Sequence, residues 1–166
     1  DKYWKNHFNT IGINGMNESL LNFMGKDIAS SEGNEFALEV MQAMKDKMIE
    51  YQEKTGNLYN LEATPAESTA YRLARLDQKH FGNDIIFANQ NKVKEGADPY
   101  YTNSTHLPVD YTSDIFTALQ KQDDLQTEYT GGTVFHGFLG EKMPDIDSTK
   151  LLVKRIAENF SLPYCT

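Results

Sequence analysis

The chain has 166 residues, 39% of them apolar, 11% aromatic and 24% charged, enough for one domain with a buried core. Sixteen basic residues against twenty-four acidic ones leave a net charge of −8, which argues against a broad nucleic-acid-binding surface and obliges any anionic ligand to find local donors. The one cysteine, Cys165, excludes an internal disulfide or a cysteine-based metal site built within the chain, and no apolar run approaches the roughly 18 residues of a membrane helix.

The first stretch, FNTIGINGM, reads as a short strand entering a glycine-containing turn. NESLLNFMG reads as a short helix stopped by Gly25. After the loop SSEGN, Phe36, Val40, Met41, Met44, Met48 and Tyr51 recur at helical spacing. They predict a helix from about residue 34 to residue 55, ended by Gly56. Residues 57–63 are predicted as the next strand and residues 64–81 as the next helix. Residues 82–110 are rich in Asn, Gly, Asp and Pro and read as a long irregular loop, a kind of segment that is often functional. SDIFTALQKQDDLQTEY predicts a helix capped by Ser113 or Asp114, and TGGTVFHGFLGE a turn plus a strand. DSTKLLVKRIAENF predicts a last helix capped by Asp147 or Ser148, with Leu151, Leu152, Ile156 and Phe160 facing inward. The order β-α-α-β-α-loop-α-β-α implies an α/β chain with right-handed crossovers and a mainly parallel sheet. Three strands make a small sheet, so part of a larger barrel or sheet is expected outside the chain. The opening DKYWKNHF and the closing SLPYCT both read as cut ends of something longer. The cysteine usage fits a reducing, cytoplasmic location.

The junction between the second strand and its helix admits two readings. Thr64-Pro65-Ala66-Glu67 matches a capping box, with Thr64 as N-cap, Pro65 in the first helical position and Glu67 in the third. On that reading the junction does no more than start a helix. On the other it holds a ligand, because in parallel α/β folds ligands bind beyond the carboxyl ends of strands. The amides of Ala66, Glu67, Ser68 and Thr69 would then receive an anion, assisted by the hydroxyls of Thr64, Ser68 and Thr69. Alternation puts Leu58, Asn60 and Glu62 on one strand face, and two polar side chains there are unusual for plain core. Arg72 lies about 12 Å up the helix from Thr64 at ~1.5 Å per residue, and Arg75 lies farther. The anion would therefore depend on amides, with the charge of Glu67 opposing it.

Other candidates carry similar alternatives. Tyr100, Tyr101, Thr102, Asn103 and Ser104 form either an active-site wall or a polar turn. His136 shares its predicted strand face with Val134 and Phe138 and reads as a core or rim residue. His7, His80 and His106 lack metal-ligand spacing. Gly131 and Gly132 suit a tight turn without a fuller dinucleotide fingerprint, and Gly12 and Gly15 either shape a turn or permit close backbone approach.

Four blocks, TIGINGMNE, NLYNLEATPAESTAYRLARLD, YYTNSTHLPV and YTGGTVFHGFLGE, resemble in this order blocks of the anaerobic (class III) ribonucleoside-triphosphate reductases, over about residues 10–164. The resemblance implies a glycyl radical enzyme with a ten-stranded, pyruvate formate-lyase-like α/β barrel. Residues 1–166 would be a single α/β fragment of its catalytic barrel domain, from the second half-barrel. The implied activity is reduction of ribonucleoside triphosphates to deoxyribonucleotides for DNA replication, in a cytoplasmic homodimer without membrane or nucleic-acid partners. A radical-SAM iron–sulfur activase would install the glycyl radical. A barrel cysteine would carry the thiyl radical, formate or a thiol would supply electrons, and ATP and dNTPs would act as effectors.

On the same resemblance, no cofactor lies in this chain. The effector domain and the thiyl cysteine fall before Asp1, and the zinc cysteines and radical glycine beyond Thr166. Cys165 takes no thiyl role, and the fragment alone is expected to be inactive. Thr64, Ala66, Glu67, Ser68 and Thr69 become the substrate-phosphate turn. Glu62 becomes an active-site carboxylate, a base or a hydrogen-bond partner for a ribose hydroxyl, and Asn60 orients substrate. Asn103 and Ser104 would also bind substrate. Two rival readings stand: a binding or scaffolding α/β module with no ligand, and a different glycyl-radical lyase, which would not need a triphosphate-binding helix start.

Overall fold

The structure, a computed structural model, describes residues 3–137 and 144–166. Strands β1 (Phe8–Gly12) and β2 (Leu58–Glu62) pair in parallel, with Phe8 opposite Leu58 and Gly12 opposite Glu62. Helices α1 (Met16–Met24) and α2 (Ser31–Thr55) make the crossover between them. After β2 come α3 (Glu67–Phe81), a 3-10 turn at Gly82–Asp84, α4 (Gln90–Lys94), α5 (Ile115–Thr127) and α6 (Ile146–Asn159).

Helix α2 is the scaffold. The Ser30 hydroxyl caps it by accepting from the Gly33 amide at 3.1 Å, and Gly56, at φ 69°, closes it with its N–H on the Gln52 carbonyl. Ala37, Met41 and Met48 are buried along one face. Phe36, Val40 and Met44 flank them, while Tyr51 ends the stripe exposed. The core joins these side chains to Met16, Leu20, Ile28, Leu61, Leu125 and Tyr129. Full burial of each large apolar side chain contributes about 1.5–3 kcal/mol. Ile11, Ile13, Tyr59 and Ala63 pack against this core as well, so the odd-numbered residues of both strand segments turn toward the helices. Asn60 and Glu62 consequently face the other side of the sheet.

Four expectations are revised. Among the described residues the third strand is reduced to one parallel bridge, Phe135 with Cys165. Its segment meets β2 at its start: the Thr130 and Gly131 amides donate to the Leu61 carbonyl at 3.1 and 2.7 Å, the Leu61 amide donates to the Thr130 hydroxyl at 2.9 Å, and the Ala63 amide donates to the Gly132 carbonyl at 2.9 Å. It then diverges to meet residues 164–166. Phe138 and the rest of FLGE lie outside the described residues. The 82–110 loop carries the short α4 and a 3-10 turn. Helix α6 is capped by Asp145, not by Asp147 or Ser148, because its first backbone bond already runs from Thr149 to Asp145. No residue of α6 is buried: Leu151 is exposed, and Leu152, Ile156 and Phe160 are half-buried. A ring contact from Phe160 to Phe116 on α5 ties this end of the chain down, with the Ser161 and Leu162 amides both donating to Asp123. No helix among the described residues is long and apolar enough to cross a membrane.

The start of α2 tolerates no added atom. A Cβ on Gly33 would lie 2.0 Å from the Asp27 carbonyl oxygen and 2.9 Å from the Ser30 hydroxyl. Gly33→Ala should destabilise the protein by about 1–3 kcal/mol through this overlap. A chemical-denaturation midpoint equal to that of the parent would refute the close approach.

Candidate functional site

A cleft of about 1260 Å³ opens beyond the carboxyl end of β2. Glu62, Thr64 and Glu67 line one wall, Asn103 and Ser104 a second, and Thr133 and His136 a third. Glu62 is half-buried at the strand end and takes part in none of the ion pairs among the described residues. Glycines let three segments converge here. A Cβ on Gly132 would come 3.5 Å from the Glu62 carboxylate, one on Gly131 2.8 Å from the Asn60 amide nitrogen, and one on Gly12 2.7 Å from the Thr64 hydroxyl.

The capping box does not form. Helix α3 begins at Glu67, its cap residue is Ala66 at φ −134° and ψ 43°, and no side chain caps it. The Thr64 side chain lies two residues too early and is turned against Gly12, while the Ser104 hydroxyl donates to the Thr64 carbonyl at 3.4 Å. Pro65 therefore precedes the helix, and Glu67 occupies its first position, not its third. The first backbone bond of the helix runs from Ala70 to Ala66, so the amides of Glu67, Ser68 and Thr69 have no partner within α3. All three residues are exposed.

Of the expected site residues, Glu62, Thr64, Glu67, Asn103 and Ser104 line the cleft. Ala66, Ser68 and Thr69 stand at its edge in the sequence but outside its lining. Asn60 is covered by Gly131, with its side-chain oxygen buried and unpaired.

Residues 101–104 are held from several sides. The Tyr101 hydroxyl donates to Asp77 on α3 at 2.6 Å, and burial followed by this bond raises its pKa far above the usual phenol range. Asn103 forms an antiparallel bridge with Asn14, and Ser104 adopts a left-handed φ of 49°. Beneath them lies Glu18, the last residue of the block TIGINGMNE, to which the sequence assigns no role of its own. It is 1% exposed and accepts from the Thr102 amide at 2.9 Å and the Thr102 hydroxyl at 2.7 Å. Its one sequence signal is an acidic residue three positions after Gly15, in the first turn of a predicted helix, which by itself reads only as a cap. The next layer is polar too: Thr105 bonds the Tyr129 hydroxyl at 2.9 Å, and Gln122 donates to the Thr105 carbonyl at 3.0 Å.

His106 and His136 both line the cleft, with ring centroids 6.4 Å apart. His136 is an exposed rim residue. Burial, with a smaller contribution from His136, pushes the His106 pKa down to about 4. His7 stacks near Tyr3 and Trp4, and His80 sits by Phe81, both away from the cleft. Among the described residues, no group of three or more His, Cys, Asp or Glu could hold a metal ion.

The family described as anaerobic ribonucleoside-triphosphate reductase matches the chain over residues 1–166. The chain belongs to that family. The anaerobic ribonucleoside-triphosphate reductase of Enterobacteria phage T4 is 27% identical over 123 residues, which are 73% of this chain and 19% of the phage protein. That of Haemophilus influenzae is 28% identical over 129 residues, 76% of this chain and 17% of its own length. The chain thus spans less than a fifth of either of these reductases. A crystal structure of the anaerobic ribonucleotide reductase from Thermotoga maritima, with glycerol in the active site, superposes with a TM-score of 0.71 at 25% identity. It covers 91% of this chain and 24% of that one. The fold of this reductase segment is accordingly the mixed α/β arrangement expected.

A histidine held neutral in the folded state gives stability a definite pH dependence. Unfolding returns His106 to an ordinary pKa near 6.5, where the unfolded chain takes up a proton that the folded chain refuses. Stability should therefore fall as pH drops from about 6.5 toward 4, by at most about 1.4 kcal/mol per pH unit from this residue. His106→Gln should flatten that slope in a series of denaturation curves. An identical slope in the variant would show that His106 does not contribute.

Proposed function

We propose that this chain forms one wall of the catalytic barrel of an anaerobic ribonucleoside-triphosphate reductase, and that the start of α3 receives the substrate triphosphate. The observation that carries the reading is the uncapped first turn of α3, open beside a cleft whose strand end supplies a carboxylate with no ion-pair partner among the described residues. Free amides at a helix start favour anions through both their N–H groups and the helix dipole. The match to the reductase family over residues 1–166 supports a nucleotide as that anion. One Thermotoga maritima reductase of similar fold is described in complex with dATP and CTP, which supports it further.

In this proposal residues 1–166 are a single piece of a ten-stranded barrel completed by other parts of a cytoplasmic, homodimeric enzyme. The amides of Ala66, Glu67, Ser68 and Thr69 grip phosphate oxygens, and the Thr64, Ser68 and Thr69 hydroxyls assist. Asn103 and Ser104 face the sugar from the second wall. Glu62 accepts a hydrogen bond or a proton from a ribose hydroxyl. Asn60, under Gly131, orients Glu62 and the substrate from behind the strand end.

A glycyl radical installed by a radical-SAM activase, together with the thiyl radical it generates, supplies the hydrogen-abstraction chemistry, with formate or a thiol as reductant and ATP or dNTPs as effectors. Zinc, which the resemblance places on cysteines outside this segment, is not assigned to Cys165, the one cysteine here.

The whole reductase tests the two roles separately. Glu62→Gln should lower deoxyribonucleotide formation about 100-fold or more, as expected for loss of an acid–base group, with nucleotide affinity little changed. Glu67→Gln should strengthen triphosphate binding about 2–5-fold by removing a charge from the helix start, without affecting binding of the bare nucleoside. Equal effects on triphosphate and nucleoside would remove the phosphate from α3.

A further inference from the structure

We infer that Glu18 is a positioning residue, whose carboxylate fixes residues 102–104 so that Asn103 and Ser104 face the start of α3. The inference rests on the proposal that this cleft holds the nucleotide.

The carboxylate has no place in the core on polarity grounds. It is 1% exposed and takes part in no ion pair among the described residues. A buried charge of this kind is tolerated only when its lone pairs are taken by hydrogen bonds. Three donors take them: the Thr102 amide on Oε2, and the Thr102 hydroxyl and the Asn17 side-chain amide on Oε1. Its place in the first turn of α1 adds the favourable end of the helix dipole.

The direction of these bonds distinguishes positioning from simple capping. In a capping box the third-position carboxylate returns to the amide of its own cap residue. Here the Gly15 amide donates instead to the Thr102 carbonyl at 2.8 Å, and the Met16 amide to the Ser104 carbonyl at 3.2 Å. Thr102 thus takes both sides of the exchange from 84 residues away. The clamp closes on either side of Asn103, and the left-handed Ser104 follows directly. A non-glycine residue keeps that conformation only where its surroundings enforce it.

Glutamine fits the same space but presents one acceptor and one donor where the carboxylate presents two acceptors, so the clamp must rearrange. In the whole reductase, Glu18→Gln and Thr102→Val should each weaken ribonucleoside-triphosphate binding about tenfold, the scale of a lost hydrogen bond to a charged group. Thr102→Ser, which keeps both donors, should recover most of that loss. In an Asn103→Ala/Ser104→Ala background, Glu18→Gln should add less than about twofold, because the groups it positions are gone. A full additional loss in that background would overturn the positioning role and leave Glu18 a stabiliser of the fold. Should Glu18→Gln fail to fold, Thr102→Val and Thr102→Ser in the two backgrounds separate the same two outcomes. If Asn103→Ala/Ser104→Ala binds nucleotide like the parent, the cleft assignment itself fails, and the inference falls with it.

Discussion

The parallel register of β1 against β2 is the constraint on which the site depends. With Gly12 opposite Glu62, Ile11 and Leu61 point together into the helical core, and Glu62 must point away from it. A slip of one residue along either strand would exchange the two faces. It would expose Leu61, fully buried here, and drive a carboxylate toward Met41 and Met48. The first change forfeits about 1.5–3 kcal/mol, and the second adds the cost of desolvating a charge. Core packing thus aims the cleft residues without touching the cleft.

Close approach is the second requirement, and glycine meets it. Gly12, Gly131 and Gly132 stand where β1, β2 and the segment after α5 converge, and each faces a polar group of the β2 end. None of the three needs a left-handed backbone here, so what glycine supplies is missing volume. Gly15 differs: its φ of 74° and the Tyr101 ring 3.3 Å from its Cβ position demand glycine on both counts.

Much of this architecture is legible in the sequence because it is local. The α2 stripe is set by spacing, its end by Gly56, and the β2 face by alternation. Thr64 misleads because a capping-box sequence specifies which bonds are available, not where the helix starts. The approach of Gly12 to Thr64, a contact between distant segments, helps decide that. The third strand falls short of its pattern for a related reason. Its alternating apolar residues satisfy strand propensity, but the ladder needs a neighbour in register, and among the described residues only a short stretch finds one. Leu151 belongs to a helical pattern with no partner face among the described residues to bury it. The buried character of Glu18 and His106 is not legible for the opposite reason: each owes it to residues remote in sequence.

A chain carrying −8 is a poor host for a polyanion at long range and a good one at contact, because the two effects act on different length scales. The net field acts over distance and is screened within about 10 Å at 0.1 M salt. Amides at a helix start act at contact, and their effect decays within the first turn. With no arginine or lysine lining the cleft among the described residues, anion binding there must come from geometry: amides fixed by α3, and polar side chains on the opposite wall held at the right distance. Geometry of this kind fails if either wall drifts. That makes the Tyr101–Asp77 bond, which fastens the second wall to the body of α3, as relevant to the ligand as any residue that touches it. On the proposed reading, an acidic chain that repels anions at long range and takes one at a shaped cradle without basic side chains gains selectivity for a ligand whose remaining atoms also fit.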